Sequence, residues 1–220
     1  EASAWFQYNI HTISDTGIGG TPVVEFSVTN PDTGAAYDIL GDDEWTTCAG
    51  GASRLQVSFA WDTADYHNNG TQAGPGQPVG VSALTCFGAA GATPVPGFPG
   101  RFSVTSPVAI PANAGGSLAV TIDGHPAVVI DGATVRVAVT NAVAYAAITD
   151  ASPQARRDVV AIEKCNDCHS QLAMHGNNRT DSIEVCVACH APNATDANRR
   201  LGDCVDALGD DDNTIDMKYM

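Results

Sequence analysis

Two copies of Cys-x-x-Cys-His stand close together in this chain, Cys165-Asn-Asp-Cys168-His169 and Cys186-Val-Ala-Cys189-His190. No other feature limits the possible folds as strongly, because this pentapeptide is the attachment signature of c-type haem. The two thiols add across the porphyrin vinyl groups, and the adjacent imidazole becomes an axial iron ligand. Two residues between the cysteines let both sulfurs reach one edge of the macrocycle. Two such sites this near each other imply two haems that exchange electrons. They also imply a surrounding segment whose apolar core is largely porphyrin.

Zinc is the competing reading, since the cysteine pairs alone spell C-x2-C-x17-C-x2-C, inside the zinc-site spacing range. A four-thiolate zinc site needs no histidine after each pair. With 6 His in 220 residues, finding one at both positions by chance has a probability of roughly 1 in 1,300, which favours the haem motif.

The remainder of the chain can hold one large domain or two small ones, with enough residues to bury a real core. Hydrophobic residues make up 44%, which argues against disorder. A formal net charge of -15 argues against nucleic acid as a partner, because phosphate binding rewards clustered Lys and Arg. No run of about 18 apolar residues occurs, so no membrane-spanning helix is expected. Glu1 opens the chain without a signal peptide. Covalent haem c is installed after export, so an earlier signal is expected to be removed or outside this sequence.

Of the 7 cysteines, four belong to the two motifs. Cys48 and Cys86 most simply form a disulfide in an exported protein. Cys204 is left over, which suggests a partner outside this chain.

Residues 1–150 read as all-β. Phe6, Tyr8 and Ile10 alternate with polar neighbours, as do Val24, Phe26 and Val28, then Leu55, Val57, Phe59 and Trp61. Leu118, Val120 and Ile122 follow, and then Val135, Val137 and Val139. Period-two alternation predicts half-buried antiparallel strands, assembled as a sandwich or small barrel. The Gly/Pro-rich stretch from Ala73 to Gly100 reads as a long surface loop tied down by Cys86. From 151 the pattern changes. Ser152-Pro153 resembles an N-cap followed by Pro at the first helical position, with Val159, Val160 and Ile162 leading into Cys165. Residues 151–220 hold few strand signals and read as a mostly irregular or α-helical segment packed by haem.

Here a resemblance enters. The run from Arg157 through Cys165, Cys168, His169 and Leu172-Ala-Met-His175-Gly to Arg179, then Cys186 to Pro192-Asn-Ala-Thr195, resembles the outer-membrane decahaem cytochromes of the MtrC/OmcA type. The segment Gly124-His125-Pro126-Ala127-Val128 resembles one in their first domain. The resemblance implies a Greek-key split-barrel domain ahead of a multihaem c-type cytochrome domain, on the cell surface of a Gram-negative bacterium. It implies electron transport and extracellular electron transfer to metal oxides, soluble metals, flavins or electrodes. Partners would be other multihaem cytochromes or an outer-membrane electron conduit, with membrane association through an anchor not present here. Family members carry about ten haems, so the chain reads as the N-terminal part of a longer cytochrome. The alternatives are a haem-based reductase with an open or exposed site, and a periplasmic dihaem carrier. Substrate-specific catalysis is the weaker expectation, since no catalytic constellation stands out.

His169 and His190 are the expected iron ligands from the motifs. A low-spin haem needs a sixth ligand, usually His or Met. His175 is the candidate, through its family-matching context. Lying six residues past His169, it is too near to cross to the far face of the same haem, and so would serve the second haem or another. His11 and His67 read as a surface residue and a turn residue, and His125 as a structural hydrogen bonder. The acidic run Asp203, Asp206, Asp210, Asp211, Asp212 and Asp216 makes bound calcium plausible beside the resemblance, although it lacks the EF-hand pattern. A solvated acidic loop is the simpler reading.

Overall fold

The computed structural model describes residues 2–70 and 76–194. Cys204 and the acidic run lie outside the described residues. Ten strands build the body of the fold: β1 (Gln7–Ser14), β2 (Val23–Thr29), β3 (Arg54–Trp61), β4 (Val79–Ser82), β5 (Ala92–Pro94), β6 (Arg101–Thr105), β7 (Ser117–His125), β8 (Ala127–Ile130), β9 (Ala133–Arg136) and β10 (Ala142–Ala147). Two strands of two residues follow, β11 (Ala173–Met174) and β12 (Arg179–Thr180). The α-helices are short: α1 (Asp43–Thr46), α2 (Glu163–Asn166) and α3 (Ile183–Cys189).

Eight strands form two antiparallel four-stranded sheets, ordered β1-β2-β6-β5 and β10-β7-β3-β4. One apolar cluster joins them. Val24, Phe26 and Val28 from the first sheet meet Leu55, Val57, Phe59, Leu118, Val120 and Ile122 from the second. These are the residues whose period-two spacing predicted strands, and each fully buried one stabilises the fold by about 1.5–3 kcal/mol. The fold is therefore mainly β.

The sequence reading and the fold differ in four places. The stretch 73–100 is not a single loop: it supplies β4, paired with β3, and β5, paired with β6. Both are edge strands, where Pro94 is tolerated because its missing N–H need not enter a ladder. A disulfide links Cys48 to Cys86 across this region. Val135, Val137 and Val139 do not share a strand, because β9 stops at Arg136. Val137 donates its N–H to the Pro126 carbonyl, but proline has no N–H to return, so the ladder ends. No helix starts at Ser152-Pro153. Gln154 donates its N–H to Ser117 Oγ and accepts from Thr63 Oγ1, so this backbone is held against the second sheet.

The fourth difference positions the site. Strand β7 is not half-buried; all nine of its residues are buried. Leu118, Val120 and Ile122 face the inter-sheet core. Ala119 packs with Ala60 of β3, Tyr66, and Ala188 and Ala191 of the second motif region in a separate cluster. The small side chains Ala60 and Ala119 are directly paired across β3 and β7. They let α3 lie close against the outer face of the sheet.

Candidate functional site

The second Cys-x-x-Cys-His motif is built on α3. Ser182 caps this helix by accepting from the Val185 N–H at 3.3 Å, which satisfies one of the orphan donors at the helix start. Cys186 and Cys189 lie one turn apart, and His190 ends the helix by donating its N–H to the Cys186 carbonyl at 2.9 Å. The last carbonyls of a helix have no partner within it. Here the β fold supplies them: Asn68 Nδ2 donates to the Ala188 carbonyl at 2.9 Å, and Gln77 Nε2 donates to the Cys189 carbonyl at 3.0 Å. Asn68 Oδ1 also accepts the Trp61 N–H at 3.1 Å, so one buried side chain ties β3 to the motif. Asn193 adds a bond to the Tyr66 carbonyl at 3.1 Å.

The first motif sits on α2. Cys165 is half-buried, while Cys168 and His169 are exposed. Both Cys168 and His169 donate backbone N–H groups to the Cys165 carbonyl, at 3.2 and 3.0 Å. Val159 and Val160 are exposed just upstream. A cavity of about 210 Å³ opens beside them, lined in part by Ile162, Ile183 and Val187. Asn166 Nδ2 of α2 donates to Asp181 Oδ1 just ahead of α3, and Ile162 and Glu163 share the cavity wall with Glu184 and Val187. The two motifs are therefore neighbours in space.

His175 lies in the turn between β11 and β12. His175, Gly176 and Asn177 all take left-handed backbone, with φ of 54°, 67° and 73°. A histidine there is uncommon and persists only where surroundings enforce it. Asn141 provides part of that enforcement, exchanging bonds with Thr180 through its N–H and Oδ1, both at 2.9 Å. The turn brings the His175 ring to 6.4 Å from that of His190, centroid to centroid. One iron atom held between the two rings would be within reach of both imidazoles. Burial lowers the His175 pKa, helped by Arg179 and His190. The neutral ring is the ligating form.

Two residues that sequence reasoning did not single out complete the surroundings. Asp123, on the α3-facing side of β7, is only 2% exposed. One of its oxygens accepts from Arg179 Nη1 of β12, and the other has no hydrogen-bond partner. Burial raises its pKa to about 6 from 3.8, against the opposing pull of Arg179 and Arg54. Arg179 also favours the charged form of the Cys189 thiol, whose pKa burial nevertheless raises to about 11. The available signal was a lone carboxylate interrupting the small side chains on one face of β7.

The remaining histidines lie apart from this arrangement. His11 is exposed beside a register shift in β1 and pairs with Ser27 Oγ at 2.9 Å. His67 pairs with Asp62 at 2.6 Å. His125 is fully buried facing the backbone of Ala52 and Pro126, without a well-formed hydrogen bond at either ring nitrogen. Met174, beside His175, is exposed. Among the described residues, no group of three or more His, Cys, Asp or Glu side chains is arranged to hold a metal ion unaided. No described helix is long and apolar enough to cross a membrane.

Comparison with known proteins adds family information. Residues 157–210 match the family "Outer membrane cytochrome MtrC/MtrF-like, domains II/IV". The fold aligns with MtrC from Shewanella baltica OS185 at a TM-score of 0.61 and 19% identity, covering 89% of this chain and 36% of that one. The outer membrane decaheme cytochrome OmcA aligns at a TM-score of 0.49 and 18% identity, covering 87% and 29%. The chain thus spans about a third of the length of these structures. No curated protein matches.

Proposed function

We propose that the chain is the N-terminal part of an exported multihaem c-type cytochrome of the bacterial cell surface, serving extracellular electron transfer, a reading supported by the match of residues 157–210 to the outer membrane cytochrome MtrC/MtrF-like family. Residues 1–150 form its β domain and residues 151–220 begin its haem domain. Cys165, Cys168 and His169 hold one haem c, and Cys186, Cys189 and His190 hold a second. Each bound haem supplies one-electron chemistry. The protein's part is to orient it, to exclude water and to set its surroundings.

His175 is the sixth ligand of the second haem. The observation that carries this reading is the 6.4 Å separation of the His175 and His190 rings, produced by two elements anchored separately to the β sheet. The exposed Val159 and Val160 beside the first motif supply apolar surface for a macrocycle to cover. The bond from Asn166 beside the first motif to Asp181 ahead of the second, and the cavity wall the two segments share, support electron exchange between the two sites. Other multihaem cytochromes or an outer-membrane conduit would donate the electrons. Metal oxides, soluble metals or flavins would accept them. Calcium binding by the acidic run from Asp203 to Asp216 belongs to the same proposal.

Intact mass with a pyridine haemochrome assay tests the count, and two covalent haems are expected on this chain. His175→Ala is expected to convert one of the two from six-coordinate low-spin to high-spin, while the covalent count stays the same. Absence of covalent haem, or an unchanged spectrum in His175→Ala, would overturn the respective part.

A further inference from the structure

We propose that Asp123 takes up a proton when the Cys186/Cys189/His190 site is reduced, coupling electron transfer there to proton transfer. The inference rests on the haem reading of the second motif and concerns residues to which that reading gives no role.

The geometry is a buried carboxylate with one satisfied oxygen and one unsatisfied. Arg179 Nη1 occupies the first oxygen, and the second is buried with no hydrogen-bond partner. An ionised carboxylate presents acceptors at both oxygens, so burial without a second donor penalises the charged form. The Arg179 side chain is one-fifth exposed, whereas that of Asp123 is almost fully buried. Arg179 also acts electrostatically on Cys189, His175 and Cys186. Asp123 and Arg179 therefore form a charge pair against the second motif. Its net charge is zero with Asp123 ionised and +1 with Asp123 protonated.

Groups from every neighbouring element bear on Asp123. Arg54 of β3 and Arg179 of β12 favour its charged form, Cys189 of α3 is affected by its charge, and so is Tyr8 of β1. Burial outweighs the two arginines, leaving the carboxyl near half-protonation at about pH 6. A group so poised responds to a change of one charge nearby. An added electron at the second site favours the +1 form of the pair. By linkage, protonation of the pair must favour the reduced site equally.

The step balances simply. A one-electron donor protein supplies the electron, and solvent supplies the proton. One O–H bond forms on the free oxygen of Asp123, and reoxidation releases the same proton.

The test is a spectroelectrochemical titration of the haem-loaded chain between pH 5 and pH 8, with Asp123→Asn alongside. In the unsubstituted protein one component's midpoint potential is expected to fall as pH rises. Full coupling corresponds to about 59 mV per pH unit, the tenfold change in proton activity converted for a one-electron couple. Asp123→Asn should abolish this slope. A slope that survives the substitution assigns the proton elsewhere, such as to haem propionates, and overturns the proposal, as does a flat profile in the unsubstituted protein. If Asp123→Asn fails to fold, redox-difference infrared on the unsubstituted protein decides. A protonated-carboxyl C=O band must appear on reduction, and its absence refutes the assignment. Covalent haem content and the His175→Ala spectrum report on the underlying haem reading separately from either result.

Discussion

Replacing Asn68 with alanine tests how the second motif is held on the sheet. Asn68 is 8% exposed and serves two backbone groups 127 residues apart in the chain, accepting from the Trp61 N–H and donating to the Ala188 carbonyl. Truncation to alanine leaves both groups buried and unpaired. Each such loss costs about 1–3 kcal/mol, so Asn68→Ala is expected to destabilise by about 2–5 kcal/mol. Among the described residues Gln77→Ala orphans only the Cys189 carbonyl, so about 1–3 kcal/mol is expected there. Asn68→Asp separates the two contacts: it keeps an acceptor for Trp61 but sets a carboxylate oxygen against the Ala188 carbonyl, and should cost at least as much as alanine. Urea denaturation followed by circular dichroism reads the global effect. Amide exchange should also accelerate in α3 while β2 stays protected. A cost for Asn68→Ala within about 0.5 kcal/mol, the range of ordinary surface changes, with unchanged α3 exchange, would refute the docking argument.

Three further outcomes follow from the fold. Gly124 has φ 132° and an added Cβ would fall 2.2 Å from the Arg54 carbonyl oxygen, so Gly124→Ala should cost about 2–5 kcal/mol in a denaturant titration. Replacing Cys48 and Cys86 together by serine opens a bridge spanning 38 residues; the chain-entropy relation predicts a loss of about 4 kcal/mol, measurable as a lowered urea midpoint. The folded pKa of Asp123, about 6, is raised above 3.8. The native state therefore binds more protons than the unfolded chain between these values, and this group's contribution to stability falls as pH rises through that window. The stability difference between the unsubstituted protein and Asp123→Asn should decline by about 2–3 kcal/mol from pH 4 to pH 7, and a rise over that range would contradict the burial argument.

The sequence by itself determined whatever depends on neighbours within a few residues. Period-two spacing set β1, β2, β3 and the inter-sheet face of β7, because alternate side chains of a strand must share a face. The motif spacing set which cysteines and histidines act together, since each pentapeptide is a local unit. Where local signals competed with distant partners they misled. Ser152-Pro153 looked like a helix start, yet its successor Gln154 is bound to Ser117 and Thr63 of the β fold. The Gly/Pro-rich stretch hid β4 and β5, whose edge ladders tolerate residues that a central strand would not. Only the tertiary structure decided that the polar face of β7 is covered by α3. Only it decided that Asn68 and Gln77 cap that helix, and that His175 meets His190. Only it turned Asp123 inward against Arg179, 56 residues away. The physical reason is that helix caps and buried ion pairs are completed by groups distant in the chain, and neither periodicity nor motif spacing encodes which distant residue the closed fold will bring there.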